Sequence, residues 1–148
     1  MGFDQPSLKG RALRLLAGRE HSRAELERKL QHFEEEPGSL ALALDDLQAK
    51  GFISEQRVVE SVVHRRAARL GTGRVKQELQ AKGVSPEAMA EALDALRRTE
   101  VERAREVWRR KFGEPAPDAA GRARQMRFLA SRGFGTEAIR RVVSGGDD

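Results

Sequence analysis

Arginine is the side chain through which this sequence is best equipped to act. Arg65, Arg66 and Arg69 lie at the end of one helical segment, and Arg74 and Lys76 follow directly. Arg65 and Arg69 are four apart and share a helical face. A guanidinium offers a planar fork of donors to phosphate or carboxylate, so this strip suits phosphates or acidic side chains. Cations near a helix C-terminus are also favoured by the helix dipole, which leaves a structural role open. A second strip runs through Arg103, Arg109, Arg110 and Lys111, and a third through Arg122, Arg124, Arg127 and Arg132. Glu100, Glu102 and Glu106 are placed to neutralise part of the second by helical pairing. Trp108 and Phe128 have the chemistry to stack on bases, but both fall on apolar stripes, where core packing is the expected role.

No catalytic constellation accompanies these cations. The three histidines, His21, His32 and His64, are not paired at the four-residue spacing of a helical zinc site. His21 precedes a helix cap, where a structural role is expected. The acidic clusters Glu34-Glu35-Glu36, Asp45-Asp46 and Asp147-Asp148 read as a solvated turn, a helix face and a tail. Gly71-Thr72-Gly73-Arg74-Val75-Lys76 superficially suggests a dinucleotide loop, but it lacks the preceding strand and the third glycine. Free backbone N–H groups there, beside Arg74 and Lys76, are suited to a phosphate or carboxylate; a plain inter-helix turn accounts for them as well. Neither a cofactor nor a metal is expected.

The composition sets the frame. The chain has 148 residues, 39% hydrophobic and 34% charged, with a formal net charge of +5. Residues 1–60 balance at −2 and residues 61–148 at +7. Positive potential is thus concentrated in the later part, as an anionic partner there would require; an Arg-rich solvated surface explains the charge alone equally well. Cysteine is absent, which excludes disulfides and thiolate metal sites. No apolar run is long enough to span a bilayer, and the opening residues lack the cationic and apolar stretches of a signal peptide. A cytoplasmic, membrane-independent protein is expected.

The elements that must carry the arginines are helices. Abundant Ala, Leu, Glu and Arg favour helix, and the shortage of aromatics argues against a large sheet. Ser22 and Glu25 form a capping-box pattern ahead of Leu26 and Leu30, and that helix should end near Phe33. Leu40 to Ala49 follows, stopped by Lys50-Gly51. The segments Glu78–Met89 and Phe128–Ile139 repeat one pattern: Leu, a basic residue before Gly, an apolar residue, a helix start, then Glu-Ala and an apolar residue. Leu30, Leu79 and Leu129 recur about 50 residues apart, a helical-repeat period. Gly83 and Gly133 suit left-handed turns between short helices, with Val84 and Phe134 anchoring them. Ser85-Pro86 places a cap before a first-position proline, and Asp118 should cap another helix. A longer helix leads each pair: Leu8 to Ala17, Glu55 to Leu70 with Val58, Val59, Val62 and Val63 inward, and Glu100 to Phe112 with Val101, Ala104, Val107 and Trp108 inward. The expectation is all-α: three tandem three-helix units over 7–53, 54–97 and 98–143, stacked as an elongated array. Residues 1–6 and 144–148 should be disordered, and Gly113–Asp118 is the expected flexible joint.

These residues also carry a family resemblance. Arg11-Ala12-Leu13-Arg14-Leu15-Leu16-Ala17, His21-Ser22-Arg23-Ala24-Glu25-Leu26 and Lys29-Leu30 resemble the opening of the RecX family. Leu47, Lys50-Gly51-Phe52-Ile53, Arg57, Arg65-Arg66-Ala67-Ala68-Arg69 and Gly71 are similar to its middle. So are Gly73-Arg74-Val75-Lys76-Gln77-Glu78-Leu79 and Lys82-Gly83-Val84. Phe128-Leu129, Arg132-Gly133-Phe134 and Ile139 resemble its closing repeat. The likeness spans about residues 8–143. It implies helix-turn-helix-like repeats in a curved array. It also implies a non-enzymatic, monomeric role that composition could not supply: binding RecA and the RecA–single-stranded DNA filament, with restraint of strand exchange, ATP hydrolysis and the coprotease activity behind the SOS response in DNA repair. Weak direct contact with single- or double-stranded DNA belongs to the same implication. The resemblance assigns partner contacts first to Arg65, Arg66, Arg69, Arg74 and Lys76, with Lys82 beside them, and then to Arg124, Arg127 and Arg132. Ser54-Glu55 and Val58-Val59 stand where relatives often carry an acidic pair and an aromatic, so a contact by that aromatic is in doubt. Two other readings remain: an independent helix-turn-helix DNA-binding protein, disfavoured because no dimerisation segment matches a two-fold operator, and a helical scaffold with incidental charge.

Overall fold

The structure, a computed structural model, describes residues 5–145. Among the described residues there are nine α-helices, one 3-10 turn and no strand. The helices are α1 (Leu8–Gly18), α2 (Arg23–Leu30), α3 (Ser39–Ala49), α4 (Glu55–Arg66), α5 (Thr72–Ala81), α6 (Pro86–Arg98), α7 (Glu100–Lys111), α8 (Ala119–Ser131) and α9 (Thr136–Val143). The expectations for residues 1–4 and 146–148 lie outside the described residues; Gln5 and Pro6 belong to no helix, and Ser144 and Gly145 form the turn after α9.

Local chemistry sets most boundaries. Ser22 accepts from the Glu25 N–H while the Glu25 carboxylate accepts from the Ser22 N–H, closing the capping box of α2. Ser85 caps α6 ahead of Pro86, and Asp118 caps α8 through the Gly121 N–H at 2.7 Å. Gly83 and Gly133 adopt φ of +77° and +91°, the left-handed region in which a side chain is strained. One expectation is corrected: α4 stops at Arg66 rather than Leu70. The chain tightens there, with the Arg69 N–H bonding the Arg66 carbonyl three residues back, and the Gly71 N–H then leaves for a distant carbonyl, that of Arg132.

The helices form three sets, each with its own apolar cluster. Ala12, Leu26, Leu30, Leu40, Leu44, Leu47 and Ile53 fill the first. Val58, Val59, Val62, Val75, Leu79 and their neighbours fill the second, and Ala104, Leu129, Phe134, Ile139 and Val142 lead the third. In each set the leading helix packs on the third: α1 on α3, α4 on α6, α7 on α9. The accessible surface of 9416 Å² exceeds the roughly 7,500 Å² of a compact monomer of this mass, as three small cores in a row require.

The sets join by one rule used twice. The start of the second helix in one set docks on the glycine turn between the second and third helices of the next. Thus α2 meets the α5–α6 turn, where a Cβ on Gly83 would lie 2.5 Å from the Ala24 Cβ. Likewise α5 meets the α8–α9 turn, where a Cβ on Gly71 would lie 2.3 Å from the Gly133 carbonyl. In the last set the start of α8 is covered by its own preceding loop, with Ala116 2.8 Å from where a Gly121 Cβ would stand. The Gly113–Asp118 segment is also held at Glu114, whose carbonyl accepts from Gln125 at 3.1 Å.

Candidate functional site

The arginine strips converge at the second of these junctions. The turn after α4 carries Arg69, α5 begins at Thr72, and the α8–α9 turn brings Arg132 to both. Two hydrogen bonds clamp the backbones: the Gly71 N–H donates to the Arg132 carbonyl at 2.7 Å, and the Gly73 N–H to the Gly133 carbonyl at 3.1 Å. Around the clamp lies an opening of about 440 Å³ lined by Arg66, Arg69, Leu70, Arg74, Gln77, Glu78 and Arg132. Four guanidinium groups thus face one carboxylate. Glu78 pairs with Arg66 at 3.0 Å and reaches Arg65 at 3.5 Å. Arg74 donates to the Ser131 carbonyl at 2.7 Å. Arg69 and Arg132 are exposed and enter no ion pair among the described residues. An anion entering here would find a surplus of guanidinium donors over carboxylates.

A second opening of about 290 Å³ adjoins the first, sharing Arg69 and Arg132. Its floor is Ala68, Val107 and Phe128, and Arg110 and Lys111 stand on its far side. Arg132 and Lys111 lie over the Phe128 ring, 4.8 and 5.4 Å from its centroid. Part of the second strip therefore joins the first and third in space, a convergence that sequence spacing alone could not reveal.

Arg103 departs from the strip in which the sequence places it. It is largely buried, and its guanidinium donates to the carbonyls of Ala67, Leu70 and Leu96 and to the hydroxyls of Thr72 and Thr99. Burial pushes its pKa down, with the Glu100 carboxylate opposing that shift. Arg103 ties the end of α4 to α7.

The sequence leaves Gly71–Gly73 equally open as a plain inter-helix turn or as an anion site. Glu100 already occupies it: one carboxylate oxygen accepts from the Thr72 N–H at 2.7 Å and the other from the Gly135 N–H at 3.1 Å. The helix-start donors do bind a carboxylate, but it is the protein's own. Glu55 does the corresponding work one set earlier, accepting from the Ser85 N–H at 3.0 Å.

The remaining expected contact residues lie elsewhere. Lys76 is exposed on α5, but Arg74, Gln77 and Glu78 form the face that lines the opening. Arg124 and Arg127 are exposed on α8 and line neither opening. Lys82 sits at the other end of α5, 15% exposed, where it pairs with Glu25 at 3.3 Å. Trp108 is half-buried and donates to Gln125 at 2.9 Å, as a packing residue does. Among the described residues no three His, Asp or Glu side chains group as metal ligands.

Comparison with known proteins places this architecture. A family model described as the third three-helix domain of RecX matches residues 99–143, and one described as the second matches residues 54–93. The regulatory protein RecX of Leptothrix cholodnii is 60% identical over 139 residues, covering 94% of this chain and 88% of that protein. That of Herminiimonas arsenicoxydans is 52% identical over 139 residues, covering 94% and 92%. Among solved structures, RecX from Lactobacillus salivarius superposes with a TM-score of 0.79 at 18% identity, covering 95% of this chain and 94% of that one. That last likeness speaks for the fold.

Proposed function

The chain belongs to the RecX family, and on that premise we propose that it binds RecA and the filament RecA forms on single-stranded DNA. Binding restrains strand exchange, ATP hydrolysis and coprotease activity, and the protein performs no chemistry of its own. It works as a cytoplasmic monomer, with weak direct contacts to DNA. One observation carries the reading: Arg66, Arg69, Arg74 and Arg132, drawn from two successive three-helix sets, surround a single opening that holds only Glu78 as a counter-charge. Arg65 extends that surface, and Lys76, Arg124 and Arg127 add positive potential around it.

An independent helix-turn-helix reader of DNA fits less well. Such a reader places its last helix in the major groove. Here α3 exposes Asp45, α6 exposes Glu87, Glu91 and Asp94 ahead of Arg97 and Arg98, and α9 exposes Glu137 with Arg140. Those carboxylates would meet the phosphate backbone with like charge.

The test is RecA-driven ATP hydrolysis on single-stranded DNA with purified protein added up to equimolar amounts. Hydrolysis should slow across that range. An unchanged rate would defeat the proposal.

A further inference from the structure

The smaller opening differs in kind from the larger one. The larger is lined by guanidinium groups, whereas the smaller has an apolar floor of Ala68, Val107 and Phe128. Its rim is cationic: Arg69, Arg110, Lys111 and Arg132. Glu106 reaches Arg110 at 3.6 Å, but Arg69, Lys111 and Arg132 enter no ion pair among the described residues. An apolar floor inside a charged rim is the anatomy of a protein-recognition hot spot, in which an apolar anchor is buried and charges steer its approach. At about 290 Å³ it lies at the lower limit for small-molecule sites.

We propose that this groove seats an acidic protein segment that buries one apolar side chain against Ala68 and Val107, beside Phe128, while its flanking carboxylates meet the cationic rim. Single-stranded nucleic acid fits the geometry less well. Strand-binding grooves stack bases on open aromatic faces. Here Arg132 and Lys111 stand over the Phe128 ring and Phe112 meets it edge-on at 5.4 Å. Stacking a base on that ring would displace both cations, whereas an apolar anchor can rest on Ala68 and Val107 and needs no open face of the ring.

This inference deepens the proposed RecA contact by naming the partner chemistry at one part of the same surface, and its test is independent of RecA. The full chain is titrated against a fluorescent acidic peptide with one central phenylalanine. The same peptide with central serine and a fluorescent oligothymidine of matched charge serve as comparators. The phenylalanine peptide should bind about tenfold more tightly than the serine peptide, the scale of a buried anchor. Ala68→Glu places a carboxylate at an exposed position on the floor and should weaken the phenylalanine peptide by about tenfold or more, as a like charge at such a site does. Its melting curve should match that of the parent. Equal binding of the two peptides would leave only non-specific charge attraction and overturn the proposal. So would no peptide binding, insensitivity to Ala68→Glu, or tighter oligothymidine binding that is lost in Ala68→Glu. A protein that binds the peptide but leaves RecA hydrolysis unchanged keeps this inference and loses the RecA reading; the reverse pattern does the opposite.

Discussion

The two junctions between successive three-helix sets solve one docking problem with different chemistry. In both, the start of a second helix reads equivalent carbonyls of the next glycine turn. At the first, Ser22 Oγ donates to the Lys82 carbonyl and Arg28 to the Ala81 carbonyl. At the second, the Gly71 N–H donates to the Arg132 carbonyl and Arg74 to the Ser131 carbonyl. The first junction therefore uses side chains, and it includes the titratable pair Glu25–Lys82, with the buried His21 next to Ser22. The second brings backbone to backbone, which only glycine at position 71 permits. A side-chain junction tolerates adjustment and responds to pH, whereas a backbone junction is rigid and sterically exacting. The arginine-lined opening sits at the rigid one, where the backbone positions that carry its arginines are clamped together.

The harshest test of that difference is Gly71→Ala. Its Cβ would fall 2.3 Å from the Gly133 carbonyl carbon and oxygen and 2.4 Å from the Phe134 nitrogen, all backbone atoms. The third set must move away, at a cost of about 3 kcal/mol or more. Urea denaturation should show a lower midpoint, with a changed slope if the third set unfolds separately. A wild-type midpoint would show that the junction is looser than described. Next in size is Arg103→Met, which removes the donor to three carbonyls and two hydroxyls beside the same junction. The Leu96 carbonyl keeps its bonds from Thr99, but the part-buried Ala67 and Leu70 carbonyls lose their donor, which should cost roughly 2–3 kcal/mol. Arg103→Lys should not restore it, because one ammonium cannot span that fan of acceptors.

Much of this arrangement was legible in the sequence where the interactions are local. The Ser22–Glu25 capping box, the Ser85-Pro86 start, the Asp118 cap and the left-handed Gly83 and Gly133 each depend on residues within about one turn, and each is in the structure. What escaped depends on partners far along the chain. Glu100 reads as a surface acid able to pair within its own helix, yet it binds Thr72 and Gly135, 28 and 35 residues away. Arg103 reads as one more cation in a strip, yet its carbonyl partner at Ala67 is 36 residues away. The merging of Arg69 with Arg110, Lys111 and Arg132 likewise follows from how α7 and α8 pack against the α4 turn. Helical periodicity assigns faces within a helix but does not say which faces meet.

The first junction should respond to acid and the second should not follow it. Burial alone would raise the Glu25 carboxyl pKa, but Arg19, the Ser22 N–H and Lys82 outweigh it and bring it to about 2. Its contribution is complete above pH 4.5 and fades as pH falls toward about 2, because the unfolded chain takes up the proton first. Burial likewise holds the His21 imidazole below its ordinary value of 6.5, with Nδ1 facing the Arg19 carbonyl and Nε2 accepting from Lys29. The unfolded chain again binds the proton more readily, so His21 stability is complete above pH 6.5 and falls below it. On acidification Glu25 weakens the junction itself and His21 the segment that leads into it. Glu25→Gln should cost about 2 kcal/mol at neutral pH and flatten the acid limb of the stability curve. Hydrogen exchange should show α2 losing protection before the start of α5 as pH is lowered. Simultaneous loss at both would erase the contrast between the junctions.

The smallest expected effect on folding separates the structural role of the second junction from its surface role. Arg65 and Arg69 border the clamp without forming it. Arg65 is exposed and reaches Glu78 only at 3.5 Å, where Arg66 already pairs at 3.0 Å, and Arg69 enters no ion pair among the described residues. Exposed pairs of this kind contribute little to folding, so Arg65→Ala with Arg69→Ala should shift stability by no more than about 0.5 kcal/mol. The same double change removes one cation that lines the arginine-rich opening and one beside it, and should weaken association with the RecA filament clearly, with a shallower dependence on salt because fewer counterions are displaced. Unchanged filament binding in a stably folded variant would move the contact surface to the α8 residues Arg124 and Arg127. A collapse in stability would instead make the arginines part of the clamp, and the division between a rigid backbone junction and the cations displayed on it would no longer hold.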